Sequence, residues 1–210
     1  MKYRSKTEHQ RQFLPVVVVL SNNILPVWYL RQVHDSERPN FQFPQETVEI
    51  ELSRAYAMCK RWSKGPEQQI VIWVVDVETQ VHTNELQGVS RAETVTMIQS
   101  MYEEMEAEPH VKMIINNPTF ELWLQLHFER LSRGIEINGE EVKARVEHYI
   151  PGYVRERSFF HEGETIYAKT RNSVAIAMIN ANGLIAPDFP DLKLARTMMP
   201  VAVSLFKEGV

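Results

Sequence analysis

The sequence has a single cysteine, Cys59, in 210 residues, so no intramolecular disulfide can form and a reducing compartment fits best. Its longest apolar run, from Phe13 to Leu20, is far shorter than the ~20 residues that an α-helix needs to cross a bilayer. The polar, basic N-terminus has no apolar stretch of the signal-peptide type behind it. These absences argue against a secreted disulfide-rich protein and a membrane protein, and they predict a cytoplasmic protein without membrane contact.

The motifs of several enzyme classes are also missing. None of the eight glycines lies in a GxxxxGK[ST] or GxGxxG pattern, which excludes a P-loop nucleotide hydrolase. The histidines and the cysteine lack the spacings of a zinc site. With 23 basic and 27 acidic residues the net charge is −4, so any contact with nucleic acid must depend on a local basic patch.

What the sequence does contain is an alternation of apolar, β-branched runs with amphipathic segments. Strands are predicted at Leu14 to Leu20, Gln69 to Val75 and Val111 to Ile115. Helices are predicted after Ser21-Asn22-Asn23, at Thr47 to Ser63, from Ser90 to about Glu106, from Asn117-Pro118 to about Leu131, at Gly139 to His148, and near 165–181 and 191–207. A polar loop is expected to follow the second strand as far as Gly88.

This order of elements predicts an α/β fold with a parallel sheet flanked by helices. Residues 1–131 are expected to form that α/β core. Residues 132–210 are expected to form a mainly helical C-terminal extension packed on or beside it.

Polar residues follow each predicted strand, where open α/β sheets place their functional sites. The pair Asp76 and Glu78 comes directly after the second strand, and an extended chain would turn both carboxylates to the same side of the sheet. Such a pair suits Mg²⁺, which could polarise a phosphodiester or activate water. The alternative is that the two carboxylates only solvate a loop.

The segment after the third strand, NNPTFELWLQLHFERL, is apolar on almost every side of the predicted helix, which is typical of a buried helix. Glu121 lies in its single polar stripe, and His127 lies on an apolar side. Both are candidate catalytic groups. The alternatives are that Glu121 only interacts with the helix dipole from the first turn, and that His127 is a hydrogen-bonded core residue.

Basic residues concentrate near the N-terminus and again after the Pro151-Gly152 turn. The second group has aromatic residues interleaved and comprises Arg155, Arg157, Lys169 and Arg171. Arg155 and Arg157 are therefore candidates for contacts with the phosphates of a nucleic acid. The alternative is an ordinary solvated surface.

The block NNPTFELWLQLHFE resembles the signature Ser-Asn-Pro-x-Phe-Glu-x-Trp-Leu-x-Leu-His-Phe of the RloB-like family, with Asn116 in place of the leading serine. The segment IVIWVVDVE is similar to that family's strand ending in Asp-x-Asp, with Glu78 at the second acidic place. PGYVRE is similar to its Pro-Gly-Tyr-x-Lys segment, with Arg155 in place of the lysine. The resemblance spans nearly the whole chain, and the block at 116–129 is its most specific part.

This resemblance implies a Toprim-like fold, which holds Mg²⁺ (or Mn²⁺) between a glutamate after the first strand and the Asp-x-Asp of a later one. It further implies a nuclease of bacterial defence against phage, encoded beside an ABC/AAA-type ATPase. The sequence departs from the family at the first strand, where Ser21 stands at the place of the catalytic glutamate and Tyr29 is the one residue retained.

Two main hypotheses follow. The first is a Mg²⁺-dependent nuclease with Asp76 and Glu78 as metal ligands, in which Glu121 or His127 would assist and Arg155 would hold phosphates. The second is a catalytically inactive Toprim-like module that binds a partner ATPase or nucleic acid, which explains the missing glutamate better. A small-molecule phosphoesterase is a third alternative without a sequence signature, and a homo-oligomer is compatible with each.

Overall fold

The computed structural model describes residues 14–44, 47–48, 50–64, 69–184, 192 and 194–208. The basic residues near the N-terminus lie outside the described residues.

The described part of the chain forms a five-stranded sheet in the order β2-β1-β3-β4-β5. The strands are β1 Val16–Ser21, β2 Thr47–Val48, β3 Gln69–Asp76, β4 Val111–Asn117 and β5 Arg196–Thr197. The first four are parallel and β5 is antiparallel to β4. The three long strands are mainly apolar and, apart from the exposed Lys112 in β4, largely buried on both faces, as expected for a parallel sheet covered by helices.

Helices pack on both faces of this sheet. They are α1 Ile24–Glu37, α2 Leu52–Trp62, α3 Val77–Glu85, α4 Arg91–Glu106, α5 Glu121–Gln125, α6 Gly139–Tyr149, α7 Arg157–His161, α8 Ile166–Thr170, α9 Val174–Leu184 and α10 Met199–Glu208, with a 3-10 turn at Arg171–Ser173. Because successive strand residues point to opposite faces, two cores result. One joins the sheet to α2, α3 and α4, and the other joins it to α1 and to the helices from α5 onward. The α/β fold is therefore confirmed.

The C-terminal part of the chain shares this core. Strand β5 adds to the sheet beside β4, and α10 packs on α1 and β4. The helix predicted near 191–207 begins only at Met199, because Arg196 and Thr197 form β5 instead.

The prediction of a polar loop after β3 was wrong, since the chain turns directly into α3 at Val77. Val77 and Val81 bury one side of this otherwise polar helix against the second core. The first turn of α3 includes Glu78, so the extended conformation that would have turned Glu78 to the same side as Asp76 is absent.

Further helix boundaries differ from the predictions, and α5 ends at Gln125 rather than near Leu131. Helix α5 begins at Glu121 rather than at Asn117, because Asn117 pairs with Arg196 and its side chain donates to the backbone oxygens of Leu192 and Leu194. Helix α2 begins at Leu52, and Thr47–Val48 pairs with β1 instead. The helix that Ser90 was predicted to cap is confirmed, with a capping box between Ser90 and Glu93.

Candidate functional site at the carboxyl edge of the sheet

The carboxyl ends of β1, β3 and β4 meet at one edge of the sheet. In the sheet, β2 lies on one side of β1 and β3 lies on its other side, so the strand order reverses between β1 and β3. Open α/β sheets bind ligands at such a reversal. Ser21 and Asp76 are the last residues of β1 and β3, Asn116 is the next-to-last residue of β4, and each is fully buried. The candidate site is built around Asp76.

The Asp76 carboxylate is enclosed by three N–H donors. Asn23 Nδ2 and the backbone nitrogen of Phe120 donate to Oδ2 at 2.7 and 2.9 Å, and Asn116 Nδ2 donates to Oδ1 at 2.9 Å. The Asn22 side chain pairs with the Asp76 backbone, donating to its oxygen at 3.0 Å and accepting from its nitrogen at 2.9 Å. Both carboxylate oxygens are thus satisfied within the protein.

The orientation of these amide groups is fixed by their other contacts. Asn23 Oδ1 accepts from the backbone nitrogen of Leu25 at 3.0 Å and thereby caps α1. Asn116 Oδ1 accepts from Thr197 Oγ1 at 2.7 Å. The amide nitrogens, rather than the oxygens, therefore face Asp76.

Ser21 contributes no carboxylate at the end of β1. Its side chain is fully buried, and Oγ accepts from the backbone nitrogen of Asn23 at 3.1 Å. The hydroxyl shapes the turn into α1 at the place where the resemblance expects a catalytic glutamate.

Glu78 makes its contact away from Asp76. Its Oε2 accepts from the backbone nitrogen of Gly139, the first residue of α6, where the helix dipole favours a carboxylate. A Cβ at position 139 would lie 2.5 Å from that oxygen, so this approach requires glycine. The contact joins α3 to α6.

Glu121 is fully buried at the start of α5, and the loop between α6 and α7 supplies its partners. Arg155 Nε forms an ion pair with Oε1, and Tyr153 Oη donates to the same oxygen at 3.2 Å. The structure thus brings together Asp76, Glu121 and Arg155, three of the predicted site residues.

Burial dominates the electrostatics of Asp76. It raises the pKa of the Asp76 carboxyl to about 6, against the opposing effect of the hydrogen bonds from Asn116, Phe120 and Asn23, and the negative charge of Glu121 raises it further. Tyr153 is affected in the same way, because burial and the nearby Glu121 raise the pKa of its hydroxyl. Strongly shifted pKa values beside a cleft are typical of functional sites, although buried structural networks produce them as well.

His127 lies in an aromatic cluster outside this network. Its Nδ1 is hydrogen-bonded to Ser173 Oγ at 3.1 Å, and its ring centroid lies 4.8 Å from that of Trp123. Burial lowers the pKa of the imidazole to about 4, so the ring is neutral. These contacts favour the alternative of a core histidine.

The basic residues after Pro151 are mostly paired within the chain. Arg155 binds Glu121, Arg171 Nε lies 3.0 Å from Glu37, and Lys169 lies 5.2 Å from the centre of the Phe159 ring. Arg157 is exposed at the start of α7.

A shallow cleft of about 390 Å³ opens beside this edge. Its walls come from α3, α6 and the segments before α5 and α7, and are formed by Glu78, Thr79, His82, Thr83, Thr119, Gly139, Glu140 and Arg155.

The donor set does not fit Mg²⁺ or Mn²⁺. Such cations need oxygen ligands, whereas N–H groups face both oxygens of Asp76, Arg155 is bound to Glu121, and Gly139 donates to Glu78. Among the described residues, no group of three or more His, Cys, Asp or Glu side chains is arranged to hold a metal ion. A cation at Asp76 would first have to displace several buried hydrogen bonds.

Reasoning from the sequence missed the residues that enclose the carboxylates. The Ser21-Asn22-Asn23 and Asn116-Asn117 segments were recognised as strand ends, but no role followed for the amides themselves. The feature of these asparagines that could have indicated the role is the side-chain amide, which can donate to a carboxylate and accept from a backbone nitrogen at the same time. Tyr153 had no such local signal, because its partner Glu121 lies 32 residues earlier.

Comparison with known proteins agrees with the sequence block at 116–129. In the described part of the chain, no helix is both long and apolar enough to span a membrane. No curated protein and no solved structure matches the chain. The sequence model described as RloB-like protein matches residues 28–199, which covers most of α1, the Asp76 network from β3 onward and the start of α10. This chain therefore belongs to the RloB-like protein family.

Proposed function

We propose that this member of the RloB-like family is a Toprim-like module without hydrolytic activity, which acts by binding a partner protein, the ABC/AAA-type ATPase that the family resemblance implies. The main support is the surroundings of Asp76. A carboxylate that accepts three N–H donors and is 0% exposed stabilises the junction of three strands and has no position for a dissociable cation.

A protein partner is favoured over nucleic acid by the surface charges. Arg155, Lys169 and Arg171 make contacts within the chain, so their charges are at least partly compensated. Nucleic-acid affinity depends on cations that are free to neutralise phosphates.

Helix α9 presents a surface of the opposite kind. It contains no charged residue, and it exposes Ile176 (53%) and Ile179 (70%) to solvent. Exposed apolar side chains that share one helix face are typical of protein–protein contacts. We propose this face as the contact with the ATPase.

The test combines metal binding, cleavage and partner binding. Mg²⁺ and Mn²⁺ are titrated calorimetrically into the wild type, and plasmid and tRNA are incubated with the same protein. We expect neither binding at millimolar metal nor cleavage. Metal binding that disappears in Asp76→Asn, together with cleavage, would contradict the proposal.

Partner binding is tested by co-purification with an ABC/AAA-type ATPase of the kind that the family resemblance implies. Ile179→Asp should abolish the association, because it places a charge in an apolar contact. Leu86→Asp is the matched control, since Leu86 is equally apolar and 77% exposed at the end of α3. Equal association of both variants would contradict the assignment of the face. If a second copy of this chain binds the α9 face instead, analytical ultracentrifugation would show a dimer that Ile179→Asp abolishes.

One observation favours a second candidate function, a Mg²⁺-dependent nuclease. Asp76 and Glu121 are two buried carboxylates close enough for one to raise the pKa of the other, at the edge where α/β folds bind substrates, and Arg155 and Glu78 line a cleft beside them. The calorimetric and cleavage experiments above separate the two functions.

A further inference from the structure

The loop between α6 and α7, residues 150–156, places two side chains on Glu121. The Tyr153 hydroxyl donates to Oε1, and the Arg155 guanidinium forms an ion pair with the same oxygen. Tyr153 is buried, whereas Arg155 is 38% exposed at the mouth of the cleft. The loop is thereby fastened to the first turn of α5.

The buried site contains two carboxylates, and burying a carboxylate is costly unless an opposite charge or several hydrogen bonds compensate it. Asp76 is compensated by amides and a backbone nitrogen. Glu121 has a single hydroxyl donor besides Arg155, and its Oε2 has no hydrogen-bond partner among the described residues. Glu121 therefore depends on the Arg155 charge far more than Asp76 depends on any one partner.

The outer side of the same guanidinium also faces an acid. Arg155 Nη1 lies 3.7 Å from Glu140 Oε1, and Glu140 is in the first turn of α6. The guanidinium thus lies between an inner and an outer carboxylate, and the two negative charges together exceed its own positive charge.

We propose that Arg155 is the resident counter-cation of the acidic site, neutralising Glu121 and holding loop 150–156 closed over the carboxyl edge of the sheet, and that it is not a phosphate ligand. This deepens the proposed function, because a guanidinium bound within the chain takes the place that a dissociable cation would need. It also replaces the expectation that Arg155 contacts nucleic acid.

The experiment is a double-mutant cycle on the full chain with Arg155→Met, Glu121→Gln and the double variant, measured by urea unfolding in EDTA. Removing one partner leaves a buried charge unpaired, so Arg155→Met should lower the folding equilibrium constant by about tenfold to a hundredfold, less than for a fully buried pair because Arg155 is partly exposed. In the Glu121→Gln background the same substitution should change it by less than about threefold. Arg157→Met, at an exposed position two residues away, is the matched control and should leave it unchanged.

Arg155→Lys keeps the charge and should recover part of the loss, and Arg155→Gln replaces Arg155→Met in the cycle if that variant fails to fold. A loss that is equal in the wild-type and Glu121→Gln backgrounds would overturn the proposal, since packing alone would then explain it.

Binding of a single-stranded oligonucleotide supplies a second readout. Both Arg155→Lys and Arg155→Gln should leave the salt dependence of oligonucleotide binding unchanged. A weaker salt dependence in Arg155→Gln would show that Arg155 contacts phosphates and would overturn the proposal.

These readouts separate the inference from the proposed function. The cycle is measured without metal, so it reports on the Arg155–Glu121 pair even if the wild type later proves to bind Mg²⁺ and cleave nucleic acid. Conversely, an absent coupling would leave the metal titration and the co-purification result unaffected.

Discussion

If the Asp76 side chain serves as a hydrogen-bond acceptor within the fold, its replacement by alanine should destabilise the protein far more than its replacement by asparagine. Alanine leaves the N–H groups of Asn23, Asn116 and Phe120 buried without an acceptor. Each unsatisfied buried donor costs about 1–3 kcal/mol, so the three together cost about 3–9 kcal/mol. This compares with a total unfolding free energy of about 5–15 kcal/mol for an ordinary domain.

Asparagine at position 76 can preserve most of these contacts. Its oxygen can accept from Asn23 and Phe120, and its amide nitrogen can donate to Asn116 once the Asn116 amide turns over. Thr197 permits that turn, because a hydroxyl can accept as well as donate. We therefore expect Asp76→Ala to be less stable than Asp76→Asn by about 3–9 kcal/mol.

The measurement is urea unfolding in EDTA, followed by tryptophan fluorescence, since Trp73 is buried in β3 beside the site. Both variants are uncharged at position 76, so the comparison isolates the acceptor from the charge. If Asp76 were only a metal ligand, both variants would lose metal binding and have equal stability without metal. A difference below about 1 kcal/mol would refute the reasoning.

The ionisation of Asp76 makes the free energy of unfolding depend on pH. Its pKa rises from 3.8 to about 6 on folding, so the folded chain holds a proton that the unfolded chain has released over this interval. The stabilising contribution is present below about pH 4 and is lost as the pH rises through about 6, a change of about 3 kcal/mol. Asp76→Asn should therefore gain stability relative to the wild type, by up to that amount, as the pH rises across the interval. A difference that is independent of pH would contradict this assignment.

Other substitutions test the surrounding contacts. His127 has the opposite pH dependence, because its pKa falls from 6.5 to about 4 on folding. Its stabilising contribution is therefore present above about pH 6.5 and is lost as the pH falls toward 4. In the same urea titrations, His127→Asn should remove an acid-induced loss of about 3 kcal/mol. Gly139→Ala should cost about 1–2 kcal/mol in urea unfolding because the new Cβ displaces Glu78, and the cost should be smaller in a Glu78→Ala background, where the approach to Thr119 Cγ2 at 3.2 Å remains. Thr197→Val removes the donor to Asn116 Oδ1 and should lower the unfolding free energy by about 1–2 kcal/mol, while an unchanged value would show that this amide is not held by β5.

The long strands and most of the long helices follow from local patterns in the sequence. The apolar runs at β1 and β3 have no polar side to expose, and β4 exposes Lys112 alone. Ser90 with Glu93 defines a helix start by itself. Helix α3 has no comparable local pattern, because its single apolar pair, Val77 and Val81, is too sparse to stand out among polar neighbours.

The candidate site could be located from the sequence but its chemistry could not. Position at a strand end follows from the fold class, and this selected Asp76. The partner of a buried carboxylate is decided by tertiary structure, and Arg155 lies 34 residues after Glu121 along the chain. A carboxylate bound to an arginine and one bound to a metal ion have the same local sequence pattern, so neither the Asp76–Glu78 spacing nor the family resemblance can distinguish the two.

The order in which the ribosome releases the chain bears on how this edge of the sheet is completed. The hydroxyl that orients the Asn116 amide comes from Thr197 in β5, 81 residues later along the chain. Until that strand has left the exit tunnel, β4 has an unpaired outer edge and the amide facing Asp76 is free to turn. A nascent chain stalled before β5 should therefore be aggregation-prone and protease-sensitive at β4, and this edge of the fold should close only after β5 has been synthesised.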